Sequence, residues 1–345
     1  MKEHLIQVNE TALVALERIN NISSSGSLAL FVLSGEECIG TLTDGDIRRG
    51  LLKGNTLQTT LDSFLNKNFQ FLRVEDDYFD QLSILRKKEI TLVPVLNQKN
   101  KIIDVINLST SISKLPVSVL LMAGGFGTRL KPLTNETPKP MLVVGGKPII
   151  EHNIDRLIKF GIKEFYISVK YLKEQIINYF GDGRSKGIKI TYIEEEEPLG
   201  TIGALSKINF IVNKTLLVMN ADLLTDLNFE SFYRDFVRSK SKMLVLSIPY
   251  NVNIPYAVLE SEDNKVKSFI EKPTYTYYSN GGIYLLSFSV KNKIPSDTFY
   301  NATDLMEELI QENVLSHYTH KGYWLDIGKP KDFEQSQYDI KKLNL

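Results

Sequence analysis

Leu120-Leu121-Met122-Ala123-Gly124-Gly125-Phe126-Gly127-Thr128-Arg129-Leu130-Lys131-Pro132-Leu133-Thr134, with Thr137-Pro138-Lys139-Pro140 close behind, is the stretch that decides the fold. It closes an apolar run, Val117–Met122, that suits a buried parallel strand, and a glycine-rich turn follows at once. Glycines let backbone N–H groups converge on an anion, because no Cβ obstructs the approach and positive φ is open to them. Arg129 and Lys139 bring full positive charges to the same loop. The pattern is neither G-x-x-x-x-G-K-[ST] nor G-x-G-x-x-G, which disfavours ATPase and dinucleotide-binding readings. A glycine turn alone serves the backbone more often than a ligand. The joint presence of Arg129 and Pro-Lys139-Pro is what points to phosphates.

Outward from this stretch, strand-like and helical runs alternate: Ile149–Phe160 (helix), Glu164–Ser168 (strand), Leu172–Phe180 (helix), Ile188–Ile193 (strand), Gly203–Ile208 (helix) and Thr215–Met219 (strand). That rhythm predicts a three-layer α/β domain on a mostly parallel sheet, with ligands beyond the carboxyl ends of its strands. Upstream, the polar segment Asn107–Pro116 reads as a linker with a boundary near 113, so domains at 1–113 and 114–345 are expected. The first contains a weak internal repeat. A helix (Thr11–Ile19) and two strands (Leu28–Leu33, Cys38–Thr43) are echoed by a helix (Tyr78–Lys87) and two strands (Thr91–Leu96, Lys101–Ile106).

Bulk properties narrow the function classes. The 345 residues carry 41 basic and 41 acidic side chains, so no global field advertises nucleic-acid binding and phosphate recognition must be local. No apolar stretch reaches membrane-spanning length, and Met1-Lys-Glu-His-Leu lacks a signal-peptide core. The single cysteine, Cys38, excludes an intramolecular disulfide. A cytoplasmic protein is the expectation.

Further motifs fall after strands. Glu194-Glu195-Glu196-Glu197-Pro198-Leu199-Gly200-Thr201 follows the third strand of the larger domain; a charge run is usually a solvated face, yet Pro-Leu-Gly-Thr opens a predicted helix whose N-terminus would favour an anion. This run is similar to the base-reading segment of mannose-1-phosphate guanylyltransferases; guanine presents two adjacent donors, N1–H and the 2-amino group, that one carboxylate can accept, and the resemblance makes Glu195 the candidate for that contact. Asp222 ends the strand Leu216–Met219-Asn220-Ala221, and Asp326 lies in Tyr323-Trp324-Leu325-Asp326-Ile327-Gly328.

Together these segments resemble the sugar-1-phosphate nucleotidyltransferases, whose signature is G-G-x-G-T-R-L-x-P-L-T followed by P-K-P, E-K-P and W-x-D-x-G. The resemblance spans about 117 to 335, with its motifs in the family's order. The resemblance implies a nucleotide-diphospho-sugar transferase (Rossmann-like) sheet and the reaction of NTP with sugar 1-phosphate to give NDP-sugar and pyrophosphate. It makes Arg129, Lys139 and Lys272 catalytic, and it assigns nucleotide contacts to Ala123, Gly124, Gly125, Gly127, Thr128, Glu195, Gly200 and Thr201. Asp222 and Asp326 become Mg²⁺ ligands, and Tyr256, Ala257, Glu271, Asn280 and Gly281 sugar contacts. Ala257 stands where the family usually shows glycine, so sugar specificity is expected to deviate. A cytidylyl- or thymidylyltransferase of the same fold, and a catalytically inactive nucleotide-sensing regulatory subunit, are the alternatives.

Gly40-Thr41-Leu42-Thr43-Asp44-Gly45-Asp46 resembles the strand-to-helix turn of CBS domains, which occur as pairs, form a small α+β unit and commonly bind adenosine nucleotides. That resemblance makes Thr43 a phosphate contact and Asp46 a ribose contact; the plainer reading is that Asp46 caps the following helix. The second copy lacks the glycine and the equivalent aspartate. A CBS pair before this enzyme is similar to the glucosamine-1-phosphate guanylyltransferases of bacterial legionaminic acid synthesis. This implies GTP with glucosamine 1-phosphate first and mannose 1-phosphate second, and a homodimer or larger assembly.

Overall fold

The structure is a computed structural model that describes residues 2–22, 28–74 and 78–343. The last two residues, 344 and 345, lie outside the described set. Two compact units divide at Lys114/Leu115.

In the first unit, β1 (Leu5–Gln7), α1 (Ala12–Asn21), β2 (Ala29–Ser34), β3 (Glu37–Thr43) and α2 (Asp44–Leu52) precede β4 (Leu72–Arg73), α3 (Tyr78–Lys87), β5 (Leu92–Leu96) and β6 (Ile102–Asn107). The two halves repeat one topology. β1 runs parallel to β2 and β2 antiparallel to β3, and β4, β5 and β6 pair in the same senses. Among the described residues no helix follows β6 as α2 follows β3. Phe31, Cys38, Leu92, Leu96 and Ile102 form an apolar core shared by the two halves. Burial pushes the Cys38 thiol up to about 11, which leaves it a core side chain and a poor nucleophile.

The helix after β3 begins earlier than the sequence suggested. Thr43 is its N-cap, and Asp46 sits at the third helical position, closing a capping box. Asp46 Oδ2 accepts from Thr43 N at 2.9 Å and from Thr43 Oγ1 at 2.6 Å. Arg49 donates to the other oxygen at 2.6 Å.

The second unit contains β7 (Val117–Met122), β8 (Val143–Val144), β9 (Lys147–Pro148), α4 (Ile149–Lys159), β10 (Glu164–Val169), α5 (Lys173–Phe180), β11 (Lys189–Glu194), β12 (Thr215–Asn220) and β13 (Leu223–Thr225). There follow α6 (Phe229–Ser239), β14 (Met243–Asn253), β15 (Val258–Glu262), β16 (Lys265–Ile270), β17 (Thr274–Ser287), α7 (Ala302–Gln311), β18 (Leu315–Thr319), β19 (Trp324–Asp326) and α8 (Pro330–Asp339). Seven strands form the central sheet in the order β11-β10-β7-β12-β17-β14-β18. β11, β10, β7 and β12 are parallel, β17 runs antiparallel to both neighbours, and β18 is parallel to β14. β10 is buried along its whole length, as a strand covered on both faces must be.

Strand pleating sorts the layers. Leu120, Val218, Val245 and Tyr284 pack with Leu205, Leu305 and Leu309 on one face, and Leu315 of β18 leans on that cluster. Tyr318, of opposite parity on β18, meets Phe232 of α6 with ring centroids 5.5 Å apart. α4 joins α6 through Phe160 and Phe229, 5.4 Å apart. Helices thus cover both faces. The helix expected at Gly203–Ile208 is instead a short 3-10 turn, Gly203–Lys207. Its preceding backbone is already engaged: Ile202 and Gly203 both donate to the Tyr300 carbonyl, at 3.2 and 3.1 Å.

Candidate active site

A cavity of about 360 Å³ opens beyond the carboxyl ends of β7, β11 and β12. Its walls include Ala123, Gly124 and Gly125 of the glycine loop, Lys139, Glu195, Gly200 and Thr201, Asn220 and Asp222. Asn220 also lines an adjoining cavity of about 210 Å³, with Asn280, Gly281, Trp324 and Asp326. Residues from both halves of this unit therefore meet along one cleft.

The glycine loop is shaped by two different constraints. Gly127 has φ +61°, and a Cβ there would come within 3.0 Å of both Lys139 Cβ and Thr134 Cγ2. Its carbonyl accepts from Thr134 Oγ1 at 2.8 Å. A Cβ on Gly125, by contrast, would meet nothing within 4 Å. That open side is room for a ligand. Thr128 and Arg129 follow in the short 3-10 turn Thr128–Leu130, both exposed.

Lys139 emerges between two prolines and is only 8% exposed. Its ammonium is ion-paired with Asp222 Oδ2 and lies 3.6 Å from Asp326 Oδ1. The two acids are brought together by a two-stranded ribbon, β13 with β19, in which Leu223 pairs with Asp326. Ile327 N donates to the Asp222 carbonyl at 3.2 Å and ties the ribbon further. Burial, and secondly the Asp222 charge, hold the Asp326 carboxyl above the usual carboxylate range, while Lys139 and Arg129 oppose that shift. Arg129 reaches the same place from the other side: a Cβ on Gly328 would sit 3.5 Å from both Arg129 Nη2 and Asp326 Oδ2.

Glu195 is half-buried with both oxygens in use. Ser168 Oγ donates to Oε1, and Leu199 N donates to Oε2 at 2.9 Å. A Cβ on Gly124 would lie 2.9 Å from Oε1, so this carboxylate also backs the glycine loop. Each oxygen keeps a second acceptor site. Thr201 is bound in a way the sequence did not suggest. Its hydroxyl accepts from Ala302 N at 2.7 Å, capping α7 rather than a helix of its own. Gly200, at φ +76°, lies against the Tyr300 carbonyl, where a Cβ would come within 2.7 Å.

On the sugar side the structure brings some of the expected residues to the cleft and leaves others outside it. Asn280 and Gly281 line the smaller cavity. Trp324 Nε1 donates to the Gly281 carbonyl at 2.9 Å, linking β19 to β17. Tyr256, Ala257, Glu271 and Lys272 are exposed and belong to neither wall. They flank the β15–β16 hairpin, where β14 and β17 run on past the sheet as a two-stranded arm. Tyr256 is 75% exposed.

Residues without an assigned role in the sequence also build the site. Buried Asn153 of α4 donates to the carbonyls of Ala221 and Leu223, at 3.3 and 2.9 Å, and so grips the turn that carries Asp222. The signal was present: one amide stands in the otherwise apolar stripe Ile149, Ile150, Ile154, Leu157. Phe299 and Asn301 line the larger cavity from a loop before α7 that carries no recognisable pattern.

Comparison with known proteins places the second unit in a family. The nucleotidyl transferase family model matches residues 118–342. A rice protein (Oryza sativa subsp. japonica) named "Probable mannose-1-phosphate guanylyltransferase 1" is 34% identical over 227 residues, covering 63% of this chain and 63% of its own length. A mannose-1-phosphate guanyltransferase of the yeast Debaryomyces hansenii is 31% identical over 223 residues, 62% of each chain. The chain thus spans less than two thirds of the length of these curated relatives. Among solved structures, HddC from Yersinia pseudotuberculosis complexed with GMP-PN is similar with a TM-score of 0.51 and 27% identity, over 65% of this chain and 99% of that one. The second unit has the nucleotide-diphospho-sugar transferase fold.

Proposed function

Because the chain belongs to the nucleotidyl transferase family, we propose that it moves a nucleotidyl group from an NTP, GTP by preference, to a hexose 1-phosphate and releases pyrophosphate. The observation that carries this reading is the convergence of Asp222, Asp326 and Lys139 beside the glycine loop. A sugar-phosphate oxygen attacks the α-phosphorus, and the bond from that phosphorus to the β-phosphate oxygen breaks. Two unit negative charges about 5 Å apart repel by roughly 3 kcal/mol at an effective dielectric near 20, so charge neutralisation and alignment are the main tasks. The sugar phosphate is already ionised at pH 7, and no general base is required.

Each task has a residue. The open side of Gly125 and the cation of Arg129 suit the β- and γ-phosphates. Lys139 neutralises charge near the α-phosphate. Lys272, on the exposed arm, reaches the sugar phosphate only if the arm folds toward the cleft. Asp222 Oδ1 is buried without a hydrogen-bond partner, an anionic oxygen that a divalent cation would satisfy. Asp222 and Asp326 would hold Mg²⁺, which supplies charge neutralisation at the reacting phosphates. Glu195, with acceptor capacity left on both oxygens, supports guanine over a pyrimidine base, as do the relatives named for guanylyl transfer. Those names also support mannose 1-phosphate as acceptor, beside glucosamine 1-phosphate.

The first unit we read as a CBS-like pair. Its repeated topology supports this, as does a cavity of about 290 Å³ lined by Thr43, Phe69 and Thr91, of a size suited to a nucleoside. Thr43 stands on that wall, whereas Asp46 is held by the capping box and Arg49.

The deciding experiment is a grid of four NTPs against mannose, glucosamine and glucose 1-phosphates, read by pyrophosphate release. Turnover is expected with GTP and at least one hexose phosphate. No pyrophosphate from any pair would leave a nucleotide-binding regulator as the remaining reading.

A further inference from the structure

We infer that Lys139 serves as an internal counter-ion that occupies the divalent-cation seat between Asp222 and Asp326 until a nucleotide arrives, so that metal binding depends on nucleotide binding. The inference rests on the transferase reading above and concerns this chain's own lysine. Three observations carry it.

The ammonium contacts both acids at once, ion-paired to Asp222 Oδ2 and 3.6 Å from Asp326 Oδ1. That is the position an ion shared by these two carboxylates must take. Part of the site is withdrawn from solvent: Lys139 is a buried residue, and Asp222 Oδ1 is buried without a hydrogen-bond partner. Two such carboxylates need a cation nearby, and a lysine and a metal ion repel one another at this range, so they cannot share the seat. Finally, only the far end of the lysine is free to leave. Pro138 and Pro140 restrict the backbone on either side, and Gly127 abuts the Lys139 Cβ. The four-carbon stem beyond can turn its ammonium toward an incoming phosphate. Nucleotide phosphates would draw the lysine off the acids and supply the oxygens that a cation needs beyond two carboxylates. Among the described residues no third His, Cys, Asp or Glu joins them.

The test uses the full chain and Mn²⁺ as probe, with free ion read by electron paramagnetic resonance and no nucleotide present. Lys139→Met is expected to bind Mn²⁺ at least tenfold more tightly than wild type; Lys139→Gln provides the same comparison should the methionine variant fail to fold. A non-hydrolysable GTP analogue should raise wild-type affinity and narrow the gap. The inference is overturned if a folded Lys139 variant binds Mn²⁺ no more tightly than wild type. It is equally overturned if Asp222→Asn in the Lys139→Met background keeps the tight site. A wild type that releases no pyrophosphate in the substrate grid would sink the transferase reading alone, because the Mn²⁺ comparison is read without turnover.

Discussion

Leu223 and Asp326 face one another across the β13–β19 ribbon, and that single pairing places two acids from distant parts of the chain on one lysine. The strand register sets the position of Asp326. Asp222 precedes the ribbon by one residue and depends on what grips its turn.

Asn153 is that grip. Asn153→Leu strands the carbonyls of Ala221 and Leu223 in a buried setting, which should cost about 1–3 kcal/mol in urea unfolding. Pyrophosphate release should fall about tenfold or more, because small displacements of charged groups are costly in catalysis. Stability loss with unchanged kcat would show that Asp222 keeps its place without the amide.

The glycine loop offers a paired test. Gly125→Ala meets no protein atom, so its stability should stay within about 0.5 kcal/mol of wild type. Its KM for nucleotide should nevertheless rise, because the added methyl occupies the open space that the proposed function gives to phosphate. Gly124→Ala presses on Glu195 and should destabilise by about 1–3 kcal/mol. Denaturant melts and KM values for the two variants separate the roles.

Asp326 should impose a pH-dependent stability cost. Its carboxyl is held above the usual carboxylate range, chiefly by burial and then by Asp222. A carboxyl with a raised folded pKa takes up protons more readily in the folded state, so stability falls as pH rises from the unfolded value through the folded one. Asp326→Asn removes that cost. The variant should melt higher than wild type at pH 7, and the difference should shrink as pH drops toward 3.8, while pyrophosphate release is lost. Equal melting temperatures at pH 7 would show that Lys139 and Arg129 cancel the cost.

Glu195→Gln can keep the bond from Leu199 N through its amide oxygen, and Ser168 can turn to accept from the amide nitrogen. The fold should hold. The preference for GTP over the pyrimidine nucleotides should shrink by about tenfold, the scale of one charge-assisted hydrogen bond. An unchanged nucleotide profile would confine Glu195 to backing the loop.

Thr43→Ala removes the N-cap of α2 and should destabilise the first unit by about 1 kcal/mol. Thermal melts read this loss. Weaker adenosine-nucleotide binding than in Asp46→Asn would mark Thr43 as the residue that touches ligand.

Local patterns carried most of the element plan. Val117–Met122 is β7 end to end, and Ile149–Phe160 lies within one residue of α4, because burial periodicity and flanking glycines or prolines act over a few positions. Long-range placement is what short patterns leave open. Gly203–Ile208 reads as a helix, but its neighbouring backbone groups are taken by the Tyr300 carbonyl, a partner about a hundred residues away. Tyr256, Glu271 and Lys272 follow a recognisable pattern, yet their place depends on how far an arm extends past its sheet, which no short spacing encodes.

A glycine turn after a buried strand, a lysine between prolines and acids at strand ends are short-range features, and they specify the kinds of groups this protein brings to its cleft. Which of those groups touch is set by long-range strand pairing. Backbone hydrogen bonds between β13 and β19 bring Asp222 and Asp326 onto Lys139, and the packing of β10 against β11 engages the Glu195 carboxylate with Ser168 and Leu199. Charges separated by that much chain acquire a common electrostatic environment only when the sheet closes around them.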